Sequence, residues 1–143
     1  MDNKIRKLAE YVEIEVGILQ EPFSIKSINK LIFISFCVYH QANYRKRYNR
    51  LDITQTFFRT LSGRLLTNIN DLQVIMSGVL LLEKSGLIEV DEKGSIKVYD
   101  DLKTLNPNNP FLQKFMSKTM ENPIFAVNRL DDKAFMEEVI RYV

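Results

Sequence analysis

The sequence predicts an α+β fold, mostly helical, in which three helices lead into a two-stranded hairpin. Three observations predict it. Apolar residues recur at helical spacing over three successive stretches between residues 28 and 85. Gly86 follows the third stretch, where a left-handed helix terminus favours glycine. Residues 87–99 then split into two short alternating segments around Asp91-Glu92-Lys93-Gly94, a hairpin signal with its glycine in place.

The elements follow in order. Ile5, Leu8, Val12, Val16 and Leu19 are spaced as a helix, while Val12-Glu13-Ile14-Glu15-Val16 also alternates as a strand would. The reading adopted is a short helix and then an extended stretch, closed by Glu21-Pro22-Phe23, because the residue before proline avoids helical geometry. Ser27 is a suitable N-cap for a central, largely apolar helix from Ile28 to about Ala42. A polar, basic connector, residues 43–50, precedes a second helix capped by Asp52 or Thr54 and running through Leu66. Thr67-Asn68-Ile69-Asn70 reads as a turn, and Asn70 or Asp71 caps a third helix, Leu72 to Ser85.

Helix, turn, helix, glycine and hairpin is the order of a winged helix, and Leu82-Glu83-Lys84-Ser85-Gly86-Leu87-Ile88 resembles the helix-to-wing junction of such domains. The expected organisation is an N-terminal extension (1–26), a winged-helix domain (27–100) and a C-terminal helical extension (101–143). In the last, Asn106-Pro107-Asn108-Asn109-Pro110 signals a loop. Helices are expected from Phe111 to Met120 and from Asp131 to about Val143, the latter opened by capping residues at Asp131-Asp132, with a short segment around 123–129 between them. They either pack back on the domain or dock on another protein.

Composition narrows the class. With 45% hydrophobic and 27% charged residues, 143 residues describe an ordinary globular chain. Cys37 is the sole cysteine, so no internal disulfide forms, which fits a reducing compartment. The longest apolar run, Leu31–Tyr39, is far shorter than the ~20 residues of a membrane span, and no signal peptide is recognisable. The expectation is a cytoplasmic protein with no membrane contact.

Little in the chain looks catalytic. Cys37 and His40 lie three apart on one helix, as a nucleophile with its base or half a metal site would. The ordinary reading, a core thiol and a histidine at the helix end, is preferred, and no further Cys or His completes a zinc site. Adjacent acids such as Glu13/Glu15 and Asp131/Asp132 read as solvated surface. The five glycines form no phosphate-cradling cluster. No catalytic residue, metal or cofactor is assigned, and an enzyme is not expected.

Tyr44 to Arg64 carries Arg45, Lys46, Arg47, Arg50, Arg59 and Arg64 against Asp52, a net +5 in a chain of net +2. With Tyr44 and Tyr48 interleaved, this window suits either a DNA backbone or an acidic partner. In a winged-helix reader the helix before the wing meets base edges. Here that helix has no arginine, its N-terminal end offers Asp71 and Gln73, and residues 74–82 are apolar or glycine except Ser77. Either the helix is enclosed on all sides or its outer face binds protein. Leu72, Met76 and Val79, with Phe135, Val139 and Tyr142 of the tail, are the candidate protein-interface residues. The wing is not net basic, since Lys93 and Lys97 are offset by Glu89, Asp91 and Glu92.

Three stretches carry a family resemblance: Ser27-Ile28-Asn29-Lys30-Leu31-Ile32-Phe33-Ile34-Ser35-Phe36, the junction at 82–88, and Phe135-Met136-Glu137-Glu138-Val139-Ile140. In order and size the chain resembles the small middle component of bacterial three-component ABC systems, including Lamassu-type defence, and the winged-helix accessory subunits of SMC-type ATPases. The resemblance implies a subunit bridging an SMC- or Rad50-like ATPase and an effector, often a nuclease, with non-specific DNA contacts and no catalytic residues. A free-standing, dimeric winged-helix regulator is the alternative.

Overall fold

A computed structural model describes residues 3–44, 62–65, 67–105 and 123–141. In chain order these form α1 (Asn3–Leu19), α2 (Ile28–Tyr44), a helical stretch at 62–65, α3 (Ile69–Lys84), β1 (Ile88–Val90), β2 (Ile96–Val98), α4 (Asp100–Lys103), α5 (Pro123–Arg129) and α6 (Asp132–Arg141). The described residues are thus mostly helical with one small antiparallel sheet. The second predicted helix falls mainly outside them, as does that of residues 111–120.

The first correction concerns α1. Instead of turning extended at Val12, the helix runs unbroken to Leu19. Residues 14–19 are all buried, so this half of the helix is enclosed by its neighbours, α2 and α3. Alternation over five residues cannot be told from a helix buried on all sides, and packing settles it as a helix. The region expected as an extension therefore supplies Tyr11, Ile14, Val16, Ile18 and Leu19 to the core. One consequence is that Glu15 is carried inside with them.

The chain leaves α1 through a turn in which Phe23 N–H and Ser24 N–H both donate to the Gln20 carbonyl. It then runs alongside the hairpin: Ile96 N–H donates to Lys26 O and Ile28 N–H to Gly94 O, both at 2.8 Å. The hairpin has the expected strands and turn, with Ile88 opposite Val98, Glu89 opposite Lys97 and Val90 opposite Ile96. Gly86 (φ 75°) and Gly94 (φ 83°) occupy the left-handed region. At Gly94 a Cβ would also stand 2.8 Å from Ile28 Cγ2, so the turn seats directly on the start of α2.

The tail folds back on the domain. Phe33 of α2 meets Phe135 of α6 edge-on at 5.5 Å, and Ile124, Val127, Phe135 and Val139 join the common core. The short segment at 123–129 is itself helical. Asp131 caps α6 as expected, its Oδ1 accepting from Ala134 N–H at 2.7 Å.

Lys30, only 7% exposed on α2, secures this arrangement. Its ammonium donates to the Leu130 carbonyl and, at 3.1 Å, to that of Asn128, capping the C-terminal end of α5. Asn128 Nδ2 in turn donates to Phe23 O at 3.0 Å.

Removing the Lys30 ammonium leaves these carbonyls with one donor fewer. We expect Lys30→Met to cost about 1.5–3 kcal/mol, the range for hydrogen bonds to charged groups. In native-state hydrogen exchange, amides of residues 123–141 should open ahead of α1 and α3; uniform opening would contradict the capping role.

Candidate functional site

α3 has two faces with different chemistry. Its inward face is organised by Asp71. The helix begins three residues earlier than expected, with Asn68 as N-cap accepting from Asp71 N–H at 3.4 Å. Asp71 therefore does not cap the helix or face outward, as its place in the sequence suggested; it is 0% exposed.

Its carboxylate accepts from three donors on two other helices. Lys7 Nζ and Tyr11 Oη (2.8 Å), one turn apart on α1, meet Oδ1 and Oδ2 respectively, and His40 Nε2 of α2 reaches Oδ2 at 2.8 Å. Burial alone would raise the Asp71 pKa, but the hydrogen bonds from Lys7, His40 and Tyr11 together hold it below the ordinary value. Its position in the first turn of α3 adds a favourable dipole interaction. The Tyr11 ring stacks on Tyr39 at 4.4 Å, sealing the cluster.

Desolvation lowers the His40 pKa, outweighing the pull of Asp71, with Lys7 and Arg64 pushing the same way. Neutral His40 then bonds through a protonated Nε2 to the ionised Asp71. Cys37 plays no visible part: it is buried, and burial pushes its thiol well above the ordinary value, opposite to an activated thiolate. No group of three or more metal-ligating side chains occurs among the described residues.

One turn further along the α1–α3 contact lies a carboxylate without such support. Glu15 is 0% exposed, and neither oxygen has a hydrogen-bond partner among the described residues. It rests on Gly78, where a Cβ would come within 2.6 Å of Oε1. Burial raises its pKa well above the ordinary carboxylate value.

The outward face of α3 is open and carries an apolar stripe among the exposed polar residues Asn70, Gln73, Ser77 and Lys84. Ile69 (60% exposed), Met76 (42%) and Leu80 (49%) form a stripe with Gln73, and Leu81 is exposed beside it. A groove on each side flanks the stripe, one of about 360 Å³ shared with Ile5 and Leu8, the other of about 290 Å³ shared with Ile28 and Val90. Of the two alternatives for this helix, enclosure on all sides is not what the described residues provide.

Among the candidate interface residues, Met76 lies on this face and Leu72 is partly buried against the core. Val79 is a correction, because it points inward with 4% exposure. Phe135 (1%) and Val139 (8%) are likewise core, since that stripe of α6 packs inward; Met136 and Ile140 occupy the outer side. Tyr142 lies outside the described residues, as do Arg45, Lys46, Arg47, Tyr48, Arg50 and Arg59. The backbone of Tyr44 ends α2, and Arg64 is exposed in the helical stretch near His40.

Lys7, Tyr11 and the Asp71–His40 pair went unnoticed in the sequence because they lie up to 64 residues apart. Gly78 was the readable signal for the outward stripe: a glycine marks the close-approach side, and Ile69, Met76 and Leu80 lie roughly opposite.

No helix among the described residues is long and apolar enough to cross a membrane. No protein-family model, curated protein or solved structure matches the chain.

Three measurements check the α1–α3 joint. Asp71→Ala should cost about 3–5 kcal/mol in urea unfolding, as when one member of a buried ion pair is removed. Gly78→Ala should be destabilising alone and much less so in a Glu15→Ala background, with a coupling of about 0.5–3 kcal/mol.

The pH dependence has two opposed parts. Asp71 and His40 have lowered pKa values, so stability falls as pH drops below about 6.5 for His40 and again below about 3.8 for Asp71. Glu15 has a raised pKa, so its contribution is complete below about 4.5 and is lost as pH rises. Urea midpoints of Glu15→Gln relative to wild type should therefore increase progressively above that pH. A constant difference would contradict a protonated Glu15.

Proposed function

We propose that this chain is a non-catalytic winged-helix subunit of a DNA-associated ATPase complex. It bridges an SMC- or Rad50-like ATPase and an effector, such as a nuclease, in an anti-phage or anti-plasmid defence system. The resemblance of the sequence to middle components of three-component ABC systems supplies the identity of the partners. The element order, helices into glycine into hairpin, supports the winged-helix assignment.

One observation carries the reading: the helix before the hairpin presents Ile69, Met76 and Leu80 outward, with no cation among them. Base reading draws on arginine, lysine, asparagine and glutamine at the groove floor; the exposed side of α3 offers Asn70, Gln73 and, only in its last turn, Lys84 beside the apolar stripe. An apolar stripe flanked by grooves instead gains from burial, at roughly 25 cal/mol per Å² removed from water. Because Phe135 and Val139 are spent on the chain's own core, α3 is the main protein-docking face. DNA contacts are sequence-tolerant and are assigned to Arg64 and the neighbouring basic residues of 45–59.

The test is co-purification from the native host with chromosomal neighbours intact. Wild type should recover an ATPase and an effector. Met76→Glu with Leu80→Glu, both at exposed positions, should abolish recovery while shifting stability by no more than about 0.5 kcal/mol each. A lone homodimer, or photocrosslinks from position 73 or 76 to DNA bases, would overturn the reading.

A further inference from the structure

From the chemistry of a cleft at the base of the hairpin, we infer that the nucleic-acid contact of this protein includes a phosphodiester-backbone site built by Lys26, Lys97 and Lys103. The inference rests on the DNA-associated reading above and gives that contact a place. Counted along the sequence, the hairpin is not basic, but the fold distributes its charges differently.

Glu89, Asp91 and Glu92 do not line the cleft, although Glu89 is the cross-strand partner of Lys97. Asp91 Oδ1 accepts from Lys93 N–H and Ser95 N–H, both at 2.9 Å, and so is used in closing the turn. Glu89 accepts from Tyr99 Oη at 3.2 Å. Glu92 sits in the turn and does not line the cleft.

The lysines converge from three elements. The hydrogen bond from Ile96 N–H to Lys26 O holds the chain before α2 against β2, which brings Lys26 and Lys97 to one cleft. Lys103, in the last turn of α4, closes it from the other side. The cleft has a volume of about 600 Å³, a partly apolar floor of Ile25 and Ile96, and Glu21 as the only acid among the described residues that line it. Lys97 lies 5.3 Å from the centre of the Tyr99 ring. The ion pair of Lys103 with Asp100 at 3.5 Å is solvent-exposed and therefore weak.

The ligand class follows from what the cleft lacks. A site for a single small phosphate typically cradles it with converging backbone N–H groups. Here the N–H groups of Ser24, Ile25 and Ile96 already donate to Gln20 O, Ile18 O and Lys26 O. What remains is three flexible point charges around an open trough, an arrangement suited to successive phosphates of a strand.

The test measures binding of a labelled duplex of about 20 base pairs and arbitrary sequence to the full chain by fluorescence anisotropy, across a salt series. Lys26→Glu with Lys97→Glu is compared with Lys93→Glu with Lys133→Glu, which changes net charge equally at exposed positions outside the cleft; thermal melts confirm that both fold. The cleft variant should weaken binding about tenfold or more and flatten the salt dependence by about two units of slope, with the control near wild type.

Equal losses in both variants would overturn the site, as would a wild type that binds no duplex. So would saturable binding of inorganic phosphate that needs Lys26 and Lys97 while duplex binding does not. The same variants are carried through co-purification: loss of duplex binding with ATPase and effector retained supports the cleft. Failure to recover partners with wild type counts against the subunit reading and leaves the anisotropy result to decide the cleft.

Discussion

A carboxylate removed from water determines how the helices of this protein sit. Asp71 is fully buried in the first turn of α3, and an ionised group there is tolerable only if its lone pairs are met. Lys7 and Tyr11 meet them from α1, and His40 from α2. Each donor has to arrive from a particular direction, so the cluster sets the rotation and height of three helices relative to one another. Apolar packing alone is more permissive, because similar volumes can be filled in several registers. Holding α1 and α2 by its inner face leaves the outer face of α3 in a defined orientation.

The same contact contains an opposing element. Two turns beyond Asp71 on α3, Gly78 makes room for the Glu15 carboxyl, which finds no partner among the described residues. One carboxylate is met by three donors, while burial pushes the pKa of the other well above the ordinary value. They are adjacent on a helix pair that runs in the same direction, so the joint is well specified at one end and costly at the other. Local conflicts of this kind tend to be compensated elsewhere in a fold. Here the compensating features are the Asp71 cluster and the apolar enclosure of residues 14–19.

Function, in this reading, is divided between surfaces rather than concentrated in a pocket. The apolar stripe of α3 suits a protein partner, and the lysine cleft at the hairpin base suits a phosphate backbone. The two are separated by the hairpin: Val90 of β1 lines a groove beside α3, whereas Lys97 of β2 lines the cleft. An adaptor needs two such surfaces to engage polypeptide and nucleic acid together.

Much of the local structure was legible in the residues. The helix at Ile28, the Gly86 terminus, the Asp-Glu-Lys-Gly turn and the Asp131 cap depend on interactions within a few positions, where spacing and backbone preference act directly. Three matters were decided only by tertiary contacts. Whether residues 12–16 were strand or helix depended on burial from several sides. Which stripe of α3 faced out was marked in the sequence only by Gly78, because a helix apolar on most sides has little phase of its own, and the contact with Glu15 decided it. The roles of Asp71, Lys7 and His40, and the gathering of Lys26, Lys97 and Lys103, required residues tens of positions apart to meet. Sequence by itself determined the order and kind of the elements, because those follow from local sterics and short-range hydrogen bonds. The tertiary structure decided which charges are buried, paired or assembled, because the energy of a charge depends on surroundings that distant segments provide.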